Sequence, residues 1–102
     1  MATKRPKRER FSRWDAADYL KSEGEMAAYL QACFEEAPED AALLAAALGD
    51  VARARGMVQL SKATGITREG LYKALSKDGN PSFTTVLKVV RALGLKLTLE
   101  LA

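Results

Sequence analysis

The chain has 102 residues with sixteen Lys and Arg, thirteen Asp and Glu, one cysteine and no histidine. That length suits a single domain with a core of its own, and the missing histidine excludes Cys/His and Ser/His nucleophile arrangements and argues against a zinc site. A lone Cys33 precludes an intramolecular disulfide and fits a reducing, cytoplasmic setting.

Net charge is +3 but falls in three zones. Residues 1–13 carry six basic residues against Glu9, giving +5; residues 14–40 carry Lys21 against eight carboxylates, giving −7; residues 41–102 carry nine basic against four acidic residues, giving +5. A basic C-terminal zone suits a polyanion such as nucleic acid, whereas the acidic zone would be repelled by it and suits a basic protein. Simple solvation accounts for either zone taken alone.

In chain order, "MATKRPKRER" has charge but no apolar run, so it reads as a flexible arm over 1–13, with neither an export signal nor a membrane span. From Trp14 the pattern is helical, with Trp14, Ala17 and Leu20 on one face and Gly24 as an interruption. A longer helix follows in which Met26, Tyr29, Leu30, Cys33 and Phe34 recur at helical spacing until Pro38 stops it. Asp40 is the expected N-cap of "AALLAAALGDVARAR", whose stripe is Leu44, Leu48 and Val51 and whose last turn carries Arg53 and Arg55 before Gly56.

Next come a short helix over 57–64, a turn, and a helix over 68–76. Ser82 caps a further helix with Phe83, Val86, Leu87, Val90 and Leu93 at helical spacing until Gly94. The tail "LKLTLELA" changes period: Leu95, Leu97, Leu99 and Leu101 alternate with Lys96, Thr98 and Glu100, which predicts a strand with one dry face. A lone strand needs a partner, either "RFSRW" near the N-terminus or a second copy of the chain, so a homodimer is expected; a tail packed on the core without a ladder is the alternative.

The segment "MVQLSKATGITREGLYKAL" fits a helix-turn-helix motif. Gly65 can adopt the left-handed conformation that swings the chain, small Ser61 lets the second helix cross closely, and Leu60, Ile66, Leu71 and Leu75 fill the wedge. Thr67 can accept the free N–H groups at the start of the second helix. Arg68, Glu69, Tyr72 and Lys73 are left facing outward.

Those types suit a major groove. Arg68 can bond guanine O6 and N7, Glu69 can accept from cytosine N4, and Tyr72 and Lys73 reach phosphates or flanking bases. Gly70 would let the backbone approach the groove closely. Gln59, Lys62, Lys77, Asn80 and Ser82 are candidates for phosphate contacts. Each residue singly is also an ordinary solvated side chain; together, beside the right turn, they point to duplex DNA.

The stretches "WDAADYL", "MAAYLQACFEEA", "ALGDVARARGM", "SKATGITREGLYKALSKDGNPSF" and "VLKVVRALGLKL" resemble the XRE-type helix-turn-helix antidote proteins of bacterial addiction modules, the HigA-like group, over about residues 14–98. The resemblance implies a small dimeric antitoxin that binds a RelE-like ribonuclease toxin and represses its own operon. It also implies that Gln59, Thr67, Arg68, Glu69, Tyr72 and Lys73 occupy DNA-reading positions. The basic arm before Trp14 departs from that pattern.

The expected fold is therefore all-α: a lambda-repressor-like helix-turn-helix bundle with extra N-terminal helices and a short C-terminal strand. Its divisions are the arm 1–13, acidic helices 14–39 and a helix-turn-helix domain 40–102. No catalytic residue, cofactor or metal is expected: Glu35, Glu36, Glu39 and Asp40 cluster at a helix end without a polar pocket, and no Gly-rich phosphate loop follows a strand. The expected partners are operator DNA, a RelE-like toxin and a second copy, with no membrane. A stand-alone repressor, or an interaction module that keeps the motif only as scaffold, is the alternative. Single-stranded RNA binding lacks aromatic platforms, since only Phe11, Trp14 and Tyr72 lie near basic residues. Deleting residues 1–10 is expected to weaken binding to all DNA sequences and flatten the salt dependence, read from binding isotherms across a salt series.

Overall fold

Ser22 and Glu25 begin the first helix by capping each other: the Ser22 hydroxyl accepts from the Glu25 N–H at 3.1 Å while the Glu25 carboxylate accepts from the Ser22 N–H at 3.0 Å. This capping box satisfies two of the N–H groups a helix start leaves open. The computed structural model describes residues 20–101, which form five helices and no strand. These are α1 (Glu23–Glu36), α2 (Ala41–Arg55), α3 (Met57–Thr64), α4 (Arg68–Ala74) and α5 (Phe83–Ala92). The mostly helical architecture agrees with the all-α expectation. The basic arm and the helix expected from Trp14 lie outside the described residues, apart from Leu20, which is buried.

Gly24 does not interrupt a helix as expected; it lies in the first turn of α1, where the cap already supplies the hydrogen bonds. Met26, Leu30 and Cys33 are buried and Tyr29 is half-buried, but Phe34 is exposed. After Pro38, the Asp40 carboxylate caps α2 by accepting from the Leu43 N–H at 3.0 Å.

The spine of the bundle is α2. Every residue from Ala45 to Ala52 is buried, since α1 packs on one side while α3 and α4 pack on others. A helix buried all round needs small or apolar side chains at every angle, and alanine at 45, 46, 47 and 52 supplies them. Gly49 goes further: a Cβ there would collide with the Leu75 carbonyl oxygen just after α4.

Asp50 is the exception in this apolar run, 1 % exposed, and its carboxylate is held on both oxygens. Tyr29 from α1 donates its hydroxyl at 2.7 Å, and Arg53 one turn along α2 donates at 3.0 Å. A buried carboxylate is costly unless it is paired and hydrogen-bonded, so these partners fix α1 against α2 at one point. Burial, and then the hydrogen bond to Asp50, push the Tyr29 phenol well above its ordinary value of 10.0. At the far end of the same helix pair, Arg55 reaches Glu23 at 3.3 Å across an exposed surface, a contact worth little by itself.

Capped by Ser82, whose hydroxyl accepts from the Thr85 N–H, α5 packs on α3 through Val86, Val89, Val90 and Leu93. Phe83 and Leu87, expected in that stripe, are 69 % and 43 % exposed. Gly94, at φ +80°, closes α5: its N–H donates to the Arg91 carbonyl while the Leu95 N–H donates to the Val90 carbonyl. That pairing is a Schellman motif.

The C-terminal strand expected over 95–101 is not present in the single chain; those residues are in neither helix nor strand. A strand exists only as part of a ladder, and no described segment lies alongside to complete one. Among the described residues no helix is long and apolar enough to cross a membrane.

Replacing Tyr29 by Phe is expected to cost about 1–3 kcal/mol, the loss of a hydrogen bond to a charged group, measured by urea unfolding at pH 7. Because the folded state holds the Tyr29 proton to higher pH than the unfolded chain, the stability this group contributes is fully present below its ordinary value of 10.0 and falls as pH rises above it. Tyr29→Phe should lose stability less steeply between about pH 9 and 11 than the parent does. Gly49→Ala should lower stability by about 1–3 kcal/mol despite alanine's higher helix propensity, because overpacking against the Leu75 carbonyl outweighs it; thermal unfolding checks this.

Candidate nucleic-acid interface

The expected exposed set depends on how the chain bends between α3 and α4. Gly65 ends α3 in the left-handed conformation, φ 77° and ψ 11°, which a side chain would strain. Hydroxyls then tie the turn down. Thr64 donates to the Leu60 carbonyl at 2.8 Å and accepts from the Ile66 N–H at 3.2 Å, and Ser61 donates to the Ile66 carbonyl. Small size is not the whole role of Ser61: its hydroxyl also anchors the bend by donating to the Ile66 carbonyl. Thr67 caps α4 as expected, accepting from the Gly70 N–H at 3.0 Å.

Leu60, Leu71 and Leu75 are buried and Ile66 is half-buried, so α4 is seated by residues on one side only. Helical geometry then turns Arg68, Glu69, Tyr72 and Lys73 outward, and all four are exposed, Tyr72 by 52 %. Spacings of three and four residues place Glu69 beside both Tyr72 and Lys73, and Arg68 beside Tyr72. Gln59 and Lys62 are exposed on α3, which packs against α4. Lys77 and Asn80 are exposed in the segment between α4 and α5.

Gly70 and Ser82 each also have a local structural duty. The space at Gly70 is filled from inside: a Cβ would stand 3.1 Å from both the Ile66 side chain and the Thr67 hydroxyl, so its small size serves the turn. The Ser82 hydroxyl, read as a phosphate contact, is engaged in capping α5. The turn after α4 has its own steric requirement, because a Cβ at Gly79 would collide with the carbonyl oxygens of Lys73 and Ala74.

Arg53 was read only as a favourable charge in the last turn of its helix. It lines, with Tyr72, Gly49 and Met57, a cleft of about 230 Å³ between α2 and α4. Arg53 thus shares a cleft with Tyr72 while its guanidinium is paired with Asp50. Nothing in the local sequence distinguishes Arg53 from Arg55, because the difference lies in which helix crosses nearby.

Lys62, Arg68, Lys73 and Lys77 put four positive charges on α3, α4 and the following turn, against Glu69 and Asp78. Such a surface can bond phosphates and, through Arg68 and Glu69, base edges. Among the described residues no group of three or more Cys, Asp and Glu is arranged to hold a metal ion.

Residues 10–101 match the family model described as "Probable addiction module antidote protein". A Haemophilus influenzae protein (strain ATCC 51907 / DSM 11121 / KW20 / Rd), described as "Uncharacterized protein", is 47 % identical over 92 residues, which is 90 % of this chain and 93 % of the relative. No solved structure matches the chain. A match that runs through every described helix, with a relative of nearly the same length that is 47 % identical over 92 residues, makes this chain a member of the addiction module antidote family.

Proposed function

We propose that this chain is a sequence-specific DNA-binding antitoxin of a type II toxin–antitoxin module, which neutralises a RelE-like ribonuclease toxin and represses its own operon from the cytoplasm. In this reading α3 and α4 are a helix-turn-helix within a lambda-repressor-like bundle of the XRE type, and the chain works as a homodimer. The observation that carries it is the polar face of α4, in which Arg68, Glu69, Tyr72 and Lys73 are exposed while Leu71 and Leu75 hold the helix down. Family membership supplies the toxin side of the proposal.

The work divides along the chain. Arg68 and Glu69 read bases; Tyr72 and Lys73 reach flanking bases or phosphates; Gln59, Lys62, Thr67, Lys77 and Asn80 fix the docking on the backbone. Two copies would present their α4 helices about 34–36 Å apart to a palindrome with half-sites one turn apart. The acidic segment 14–39 covers the toxin, supported by exposed Glu35, Glu36 and Glu39 around the end of α1, since a ribonuclease site that takes a polyanion is complementary to carboxylates. The arm 1–13 contacts phosphate without reading bases.

A second reading keeps the toxin contact and makes α3 and α4 a scaffold that reads no DNA. The two separate with one pair of substitutions. Arg68→Ala with Glu69→Ala should weaken binding to the DNA upstream of its own gene by about fivefold to 150-fold per lost contact, from ~1–3 kcal/mol each, while co-purification with the toxin is retained. Specific DNA affinity that survives both changes would exclude α4 as the reading element.

A further inference from the structure

Beyond the Schellman turn the tail offers an unused edge. Apart from the bond between the Leu95 N–H and the Val90 carbonyl, the backbone of residues 95–101 makes no hydrogen bond to another described residue. Leu97 is 46 % exposed, Leu99 is 98 % exposed and Leu101 is fully exposed. Beneath this edge runs a groove of about 460 Å³, lined by apolar side chains of α1, α2 and α5 with Leu95 and Leu97, and also by the polar Gln31, Glu35, Lys96, Thr98 and Glu100. An unpaired edge among the described residues, with Leu99 and Leu101 exposed above a partly apolar groove, is a surface that pairing would complete.

We infer that a second copy of this chain occupies it, with residues 95–101 of the two copies pairing antiparallel about a two-fold axis through Thr98. The inference rests on the two-copy reading above and adds its surface and register. In a two-fold antiparallel pair, residues equally far from the axis on either side stand opposite each other. With the axis at Thr98, Lys96 faces the partner's Glu100 and Glu100 faces the partner's Lys96. On the other face Leu97 meets the partner's Leu99, and Leu95 meets the partner's Leu101.

Other registers are poorer. An axis at Leu97 or Leu99 leaves both Lys96 and Glu100 without an opposite charge, and an axis at Lys96 or Glu100 sets like charges together, which destabilises a ladder. Only Thr98 gives two ion pairs and a continuous leucine face. The partner's Leu99, opposite Leu97, then covers the open side of the groove next to Phe34. That packing matters, because a bare two-stranded ribbon is marginal in water.

The register is tested on the full chain with single cysteines. Cα atoms of directly opposed residues in an antiparallel pair are about 4.5–5.5 Å apart, within disulfide reach. Two Lys96 positions are displaced by four residues along the ladder, about 13 Å. Mild oxidation of Thr98→Cys should therefore link most chains into covalent dimers on a non-reducing gel. Lys96→Cys should link no more than the parent, whose buried Cys33 is the control. Sedimentation equilibrium gives the second readout: Lys96→Glu should weaken the dimer by about tenfold through two like-charge pairs, and Lys96→Glu with Glu100→Lys should restore it. A dimer that fails to link at Thr98, or links equally at Lys96, overturns the register and leaves the two-copy reading standing. A parent chain that sediments as a monomer at every concentration overturns both.

Discussion

The Leu75 carbonyl oxygen occupies the volume a side chain would need at Gly49, and this single close approach sets how far α4 stands from the buried spine of α2. Much else follows from that spacing. With the end of α4 pressed onto α2, Leu71 and Leu75 are sealed, and the remaining angles of a seven-residue helix have nowhere to point but solvent. The exposed chemistry of α4 is thus set from inside the bundle. Gly65 and the hydroxyls of Ser61, Thr64 and Thr67 fix the direction from which α4 arrives, and Gly79 lets the chain leave without striking its last carbonyls.

A second constraint acts along the spine. The alanine-rich surface of α2 is smooth, and smooth helix faces tolerate sliding; apolar packing alone gives α1 a broad choice of axial positions along it. The Asp50 carboxylate narrows that choice, since the Tyr29 hydroxyl must meet it across the interface, while Arg53, on α2 itself, holds the carboxylate's other oxygen. Replacing a buried ion pair by apolar groups is often neutral for stability, so the stronger rationale here is specification of position. Because Arg53 also lines the cleft beside Tyr72, the device that aligns α1 with α2 adjoins the face that α4 presents.

Local signals were readable wherever the governing interaction lies within a few residues. The Asp40, Thr67 and Ser82 caps, the Gly65 bend and the leucines between α3 and α4 were all found this way, because capping and left-handed glycine are short-range effects. Position along a face was less legible. Phe83 and Leu87 share the spacing of Val86 and Val90, yet the packed stripe runs through Val89 and leaves them outside. Gly49 and Asp50, and the place of Arg53 beside the cleft, are not legible in the sequence, since each depends on a residue distant along the chain: Leu75, Tyr29 and Tyr72 respectively. The tail shows the remaining limit. Alternation identifies residues able to form a strand, but a ladder also needs a neighbour, and periodicity in one chain cannot supply it.

The exit from α5 joins two different geometries at a fixed point. Gly94 and Leu95 are locked to Arg91 and Val90, so the orientation of Leu95 is inherited from the helix, and in the paired tail proposed above every later side chain would alternate from it. In that pairing, one residue inserted or lost between Leu95 and Leu97 would exchange the faces of the leucines and the charged residues beyond it, whereas a change of two would preserve the parity. Length variation among relatives at this joint is consequently expected in even steps, while the stretch between Lys77 and Asn80 is under no such rule.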